Sequence, residues 1–240
     1  MEFRSRLCRL SLTGILYSAR GYLVLALLMS CFIMAGCVST AKVEPKAEPK
    51  KVESKVVPEK APLYFTDLTP ITPQPSAASI QGGLKVWYWE EFYSKHVDHL
   101  PKGDPPFSWG FAGKPIPILD RKFKPGEKFY DSGFHRGISC LIRGMIKFPE
   151  PGRYVLMANS NDGIRIFLGE KRVINDPIWH AAGDELTPEA RITISHPGWY
   201  RFRLKFYQRK GTATLQMLWK KPGDKDFSLI PAEAYGHIPD

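Results

Sequence analysis

From Ile138 to Lys220 apolar side chains recur at every second position, and the runs are broken by Pro-Gly, Asn-Asp-Gly and Gly-Glu steps. A period of two puts alternate side chains on one face of an extended strand, so this stretch can bury one face only as β-structure. Ile138, Cys140, Ile142, Ile146 and Phe148 share a predicted inner face, as do Tyr154, Leu156 and Ala158, and then Ile164, Ile166 and Leu168. Tyr200, Phe202, Leu204 and Phe206 repeat the pattern, and Leu215, Met217 and Trp219 close it. Further strands are expected at Leu84–Glu90, Arg172–Ile174 and Arg191–Ser195. No stretch after residue 63 carries a convincing 3.6-residue apolar period. About eight to ten short strands with regular turns predict an all-β antiparallel sandwich or barrel.

Two stretches of the head lack that pattern. Leu63 to Gly83 is rich in Pro, Thr, Ser and Gln and is expected as irregular chain, while residues 94–137, dense in Pro, Gly, His and Lys, read as a long excursion with little strand.

The first 37 residues read as an address. Arg4, Arg6, Arg9 and Arg20 precede the apolar run Tyr22–Ile33, which is shorter than the ~20 residues a membrane-spanning helix needs. Met34-Ala35-Gly36-Cys37 resembles the bacterial lipobox, in which cleavage precedes a cysteine whose thiol then carries lipid. The other reading is an uncleaved single-pass anchor. Residues 38–62 are a Lys/Glu/Pro tract without an aromatic residue, too polar to offset the entropy of ordering it, and are expected as a tether. The expected layout is therefore a lipoprotein signal over 1–36, a lipidated Cys37 with a flexible linker to 83, and a β-domain over 84–240. Acyl chains at Cys37 would anchor the chain to a membrane. Val38 in place of an Asp after the lipidated Cys would, in a diderm bacterium, send it to the outer membrane.

Charge has to be located before it is interpreted. The formal net charge is +10, from 34 Lys+Arg against 24 Asp+Glu, but only half the excess falls in residues 63–240. No helix-turn-helix, zinc-finger or RNA-recognition signature is present, and with an export signal this disfavours a nucleic-acid partner. Arg201, Arg203 and Lys205 form a basic stripe on one strand face, readable as a solvated face or as a site for acidic polysaccharide or phospholipid headgroups. Of four cysteines, Cys8 and Cys31 would leave with the signal and Cys37 would be modified, so Cys140 stands alone as an inert core thiol. The chain has no G-x-S-x-G, H-E-x-x-H, P-loop or strand-borne G-x-G-x-x-G, so an enzyme is not expected. His96-Val-Asp-His99 is the tightest His/Asp cluster and reads as solvated loop histidines, a zinc site needing further ligands such as His135.

Several blocks, taken in order, resemble the PA14 domain, a β-sandwich module. They are Gly83-Leu-Lys-Val-Trp-Tyr-Trp89, Phe148-Pro-Glu-Pro-Gly-Arg-Tyr154, Asn159 to Asp176, Trp179, Pro197-Gly-Trp-Tyr-Arg-Phe202 and Gly211 to Trp219, closed by Ile230-Pro231. In sugar-binding relatives the place of Asn161-Asp162 carries two successive aspartates that hold calcium, which in turn coordinates vicinal sugar hydroxyls. Here one carboxylate is replaced by an amide. Calcium accepts amide oxygens, so the pair is readable as a weakened calcium site or, with Gly163, as a turn signal alone. The resemblance implies a glycan site formed by Asn161, Asp162, Asn175, Asp176 and Trp179. Trp179 is readable either as a stacking face for a sugar ring or as a packing residue under the sheet. Trp87, Trp89 and Trp109 share that ambiguity, and Trp109, in the excursion, is the best candidate for exposure. Two functions follow: a lipid-anchored module binding envelope carbohydrate, with calcium as an optional helper, or a module docking to an envelope protein complex.

Overall fold

The computed structural model describes residues 61–91, 95–180 and 186–240. The expected signal, the expected lipidation at Cys37 and the expected tether up to residue 60 lie outside the described residues. Among the described residues, fourteen strands follow in chain order. They are β1 (Leu63–Phe65), β2 (Gln81–Gly82), β3 (Lys85–Glu90), β4 (Phe111–Ala112), β5 (Asp120–Phe123), β6 (Ile138–Phe148) and β7 (Gly152–Asn161). The rest are β8 (Ile164–Leu168), β9 (Lys171–Asp176), β10 (Ala190–Ile194), β11 (Gly198–Gln208), β12 (Ala213–Lys220), β13 (Ser228–Leu229) and β14 (Tyr235–His237). The helical elements are three single 3₁₀ turns, and among the described residues no helix is long and apolar enough to cross a membrane.

One sheet runs β1-β10-β7-β12-β13, with β5 also on β12; the other runs β2-β14-β6-β11-β8-β9, with β3 on β6 and β4 on β3. The long strands pair antiparallel, as the two-residue period predicts. The inner face foreseen for β6 is realised: Ile138, Cys140, Ile142, Ile146 and Phe148 are all buried. Phe148 from the second sheet packs against Tyr154 and Trp219 of the first, with ring centroids 4.9 and 6.2 Å apart, so aromatic pairs bridge the layers. β6 is shared along its length, β3 pairing with Ile138–Arg143 and β14 with Met145 and Ile146. Gly144 sits at the join, where a Cβ would come within 2.5 Å of Gly236 O.

Residues 63–83, expected as irregular, contribute more than approach chain. β1 pairs with β10 in parallel, Leu68 joins the core, and β2 borders β14. The period-two signal missed them because strands of two or three residues show too few positions to display an alternation. The excursion has little strand, as expected, but it is not loose. Val97 and Leu100 are buried with Trp89, Leu141 and Tyr207 in a second small core on the outer face of the second sheet. His96 starts a 3₁₀ turn, its Nδ1 accepting from Asp98 N (3.2 Å).

Candidate functional site

The β7–β8 turn, the end of β9 and the β11–β12 turn meet at one end of the sandwich. Their convergence follows from register: Asn161 lies opposite Thr214 on β12, and Ile164 lies opposite Asp176 on β9. The Asn161–Asp162 peptide is cis. Asn161 donates its Nδ2 to Thr212 O (3.0 Å) and Oγ1 (3.2 Å), which turns its amide oxygen away from β12. Asp162 is only 5% exposed, and its Oδ2 accepts the Arg209 N–H at 2.8 Å. Burial raises the Asp162 carboxyl above the ordinary aspartate range, and the Arg209 hydrogen bond and the nearby His180 partly oppose that. A polar group this buried must be held by partners, and backbone donors supply them here.

Around this carboxylate stand residues that no motif announced. His180 Nε2 lies 3.3 Å from Asp176 Oδ2, four positions along the chain. The Arg209 guanidinium stands 6.0 Å from the Trp179 ring centroid. Tyr207 is fully buried, its hydroxyl 3.4 Å from Pro177 O, and burial with Asp162 and Asp176 nearby pushes its phenol well up. Gly163 is there for space, because a Cβ would overlap the Tyr207 ring and approach Pro177 O at 2.9 Å. His180, Tyr207 and Arg209 were missed because a histidine, an aromatic and a terminal basic residue on a strand carry no spacing signature. The i to i+4 spacing of Asp176 and His180 was the one available hint.

Trp179 does not pack under the sheet. It is 52% exposed, between Ile178, also exposed, and the end of the described stretch at His180. Trp109 is 53% exposed, whereas Trp89 is buried and Trp87 donates its indole N–H to Trp109 O (3.0 Å). Of the five site residues inferred from sequence, the structure links Asp162, Asp176 and Trp179 through their shared neighbours His180 and Arg209, and Asn161 adjoins Asp162 in the chain. Asn175 departs from the group. It stands opposite Arg165 and accepts its Nε–H at 2.7 Å, on the outer side of the β8–β9 ladder. Strand alternation explains this, since consecutive residues Asn175 and Asp176 must point to opposite faces. The site thus offers one buried carboxylate, a second carboxylate paired with histidine, and a half-exposed aromatic face. Among the described residues no three His, Cys, Asp or Glu side chains cluster as metal ligands.

The fold recurs in solved structures. An epithelial adhesin 6 A domain from Candida glabrata, solved with Galb1-3GlcNAc, superposes with a TM-score of 0.55 at 10% identity, over 72% of this chain and 95% of that one. The PA14 domain of the MpAFP antifreeze protein gives 0.51 at 12%, over 71% and 98%. An anti-sigma factor domain-containing protein gives 0.52 at 16%, over 66% and 48%, so the chain spans about half the length of that relative. At such identities the likeness is one of fold. None of the curated proteins matches the chain. The PA14 domain family itself matches residues 81–232, from β2 to the last 3₁₀ turn, and takes in both sheets and the turn that carries Asp162. The chain belongs to the PA14 domain family.

Proposed function

We propose that this protein is a carbohydrate-binding module held at a bacterial cell envelope by lipid on Cys37, with its sugar site at the Asn161–Asp162 turn. The observation that carries the reading is the half-exposed Trp179 beside a buried, backbone-held Asp162. An aromatic face suits the C–H side of a pyranose, and carboxylates accept from its hydroxyls; few polar groups on an apolar wall are the common makeup of small-ligand sites. The similarly folded Candida glabrata adhesin domain, solved with Galb1-3GlcNAc, supports the ligand class.

The residues at this turn partly fit a calcium ion. It would be held by the Asn161 amide oxygen and the Asp162 carboxylate, and when bound would supply charge that draws vicinal hydroxyls. One carboxylate is missing relative to the two-aspartate form, and Arg209 and His180 already stand beside Asp162. The expected affinity is therefore weak, roughly 10⁻⁴–10⁻³ M, the range of extracellular calcium modules. The remaining residues act without it: Trp179 stacks, Arg209 steadies Asp162 through its N–H, and His180 orients Asp176.

A glycan array probed with the full chain, with and without millimolar calcium, tests the reading. Binding to a defined set of neutral sugars, weakened about tenfold by Trp179→Ala and by Asp162→Ala, is expected, a loss of ~1.4 kcal/mol each. An array with no hits in either condition refutes it. Lipidation has its own test: an alkynyl fatty acid fed to cells should label the chain, and Cys37→Ser should abolish the label.

A further inference from the structure

The outer face of the second sheet holds a cationic row away from the turn just described. Lys85 on β3, Arg143 on β6 and Arg203 on β11 stand directly opposite one another across three neighbouring strands, which step about 4.8 Å each. Arg201 follows on the same face of β11. The adjacent row is roofed by the excursion: Lys205 Nζ donates to Pro101 O (2.8 Å), and Arg165 pairs with Asp98. Burial under that roof, with Arg203 and Arg165 alongside, holds the Lys205 ammonium below the ordinary lysine range. The roof stops short of the first row. There Lys85, Arg143, Arg201 and Arg203 line a groove of about 410 Å³, with Asp104 and Glu170 also on its walls. That size falls within the roughly 300–1,000 Å³ of ligand pockets.

Among the described residues, Arg143, Arg201 and Arg203 have no ion-pair partner. The Arg203 guanidinium stands over Phe167, 4.6 Å from its ring centroid, which holds the fork in place. An exposed carboxylate already rests in this field: Asp240 Oδ1 is 2.6 Å from Lys85 Nζ, and Arg143 and His237 add to the pull that holds its carboxyl low. Paired guanidinium forks select planar anions such as carboxylates. Asp104 and Glu170 bear on which anion is taken. A uniformly anionic polymer would be repelled by them, whereas a ligand with both carboxylates and hydroxyl donors would use them as acceptors. A flat bilayer fits a concave cationic groove poorly, because its headgroups do not reach the recessed charges.

We propose that this groove binds a uronate-bearing oligosaccharide, its carboxylates on Arg143, Arg203 and Arg201 and its hydroxyls on Asp104 and Glu170. The site is separate from the Asp162 turn and does not depend on the sugar reading of that turn.

Calorimetric titration of the full chain with tri-galacturonate tests the groove, with the neutral galactose trimer, poly-glutamate and phosphatidylglycerol vesicles as comparison arms. The acidic trisaccharide is expected to bind at least tenfold more tightly than the neutral one, and its affinity to fall as salt is raised, since exposed charges are screened. Arg143→Gln with Arg203→Gln should lose at least tenfold. Arg201→Gln, on an exposed side chain that the fold does not need, should lose severalfold even if the double variant fails to fold. Asp162→Ala should leave the tri-galacturonate affinity of the groove unchanged while weakening neutral-sugar binding at the turn, which separates the two sites. Equal binding of the neutral trimer in the Asp162→Ala background, tighter binding of poly-glutamate or vesicles, or an undiminished affinity in Arg201→Gln would each overturn the proposal.

Discussion

Asp162 shows what burying a carboxyl costs a fold. Its carboxyl is raised by burial, so the folded state favours the neutral acid more than the unfolded chain does. The sign follows directly: the contribution to stability is fully present below the unfolded aspartate value of about 3.9 and is lost as pH rises through the raised folded value. At neutral pH the ionised group is therefore a burden. Asp162→Asn keeps an oxygen for the Arg209 N–H and removes the charge, so it should be at least as stable as the parent at pH 7. The difference should shrink below about pH 4, where the parent carboxyl is protonated too. Urea unfolding at both pH values checks this, and a parent more stable than the variant at pH 7 contradicts it. Gly163 gives the opposite case, a residue kept for space. Gly163→Ala should lose about 1–3 kcal/mol by overpacking against Tyr207 and Pro177, and an unchanged urea midpoint would be the contrary result.

At the scale of elements, β6 ties the molecule together, taking β11 along its whole length on one edge and β3 then β14 on the other. Cys140 lies in its first half, fully buried, and burial pushes its thiol far up from the ordinary range. A thiol reagent should thus react with Cys140 only as fast as the protein unfolds; rapid labelling of the native state would show that β6 is not a core strand. This strand was legible in full because Ile138, Cys140, Ile142, Ile146 and Phe148 alternate over eleven residues. β1 was not legible, since the three residues Leu63–Phe65 show no periodicity and are placed by pairing with β10. The site divides in the same way. Asn161-Asp162 was found because a turn signal and a family block coincide there, and Asn175 was misplaced because adjacency in sequence hides the alternation that separates it from Asp176. Arg209 reaches the site only through tertiary contacts, which a one-dimensional pattern does not encode, and His180 was hinted at only by its spacing from Asp176.

For the whole domain, the excursion, expected from sequence to hold little strand, links the outer face to the Asp162 turn. Val97 N donates to Pro177 O (2.9 Å), and His96 forms a bridge with Ile178, so the segment carrying Trp179 is held from below by the excursion. The excursion is in turn held by Leu100 and Val97 against Leu141 and Tyr207, a core much smaller than the main one. Small cores open locally at less free energy than the global transition. Leu100→Ala, which touches no proposed ligand contact, should cost about 2–5 kcal/mol locally while shifting the global midpoint less. The amides of Val97 and His99, which donate to Pro177 O and His96 O, should then exchange with solvent faster, and sugar affinity at the turn should fall as the competent geometry becomes less populated. Exchange at Val97 and His99 that matches the parent, with affinity unchanged, would mean that Trp179 is positioned by the β8–β9 ladder alone and that the excursion serves only the cationic groove.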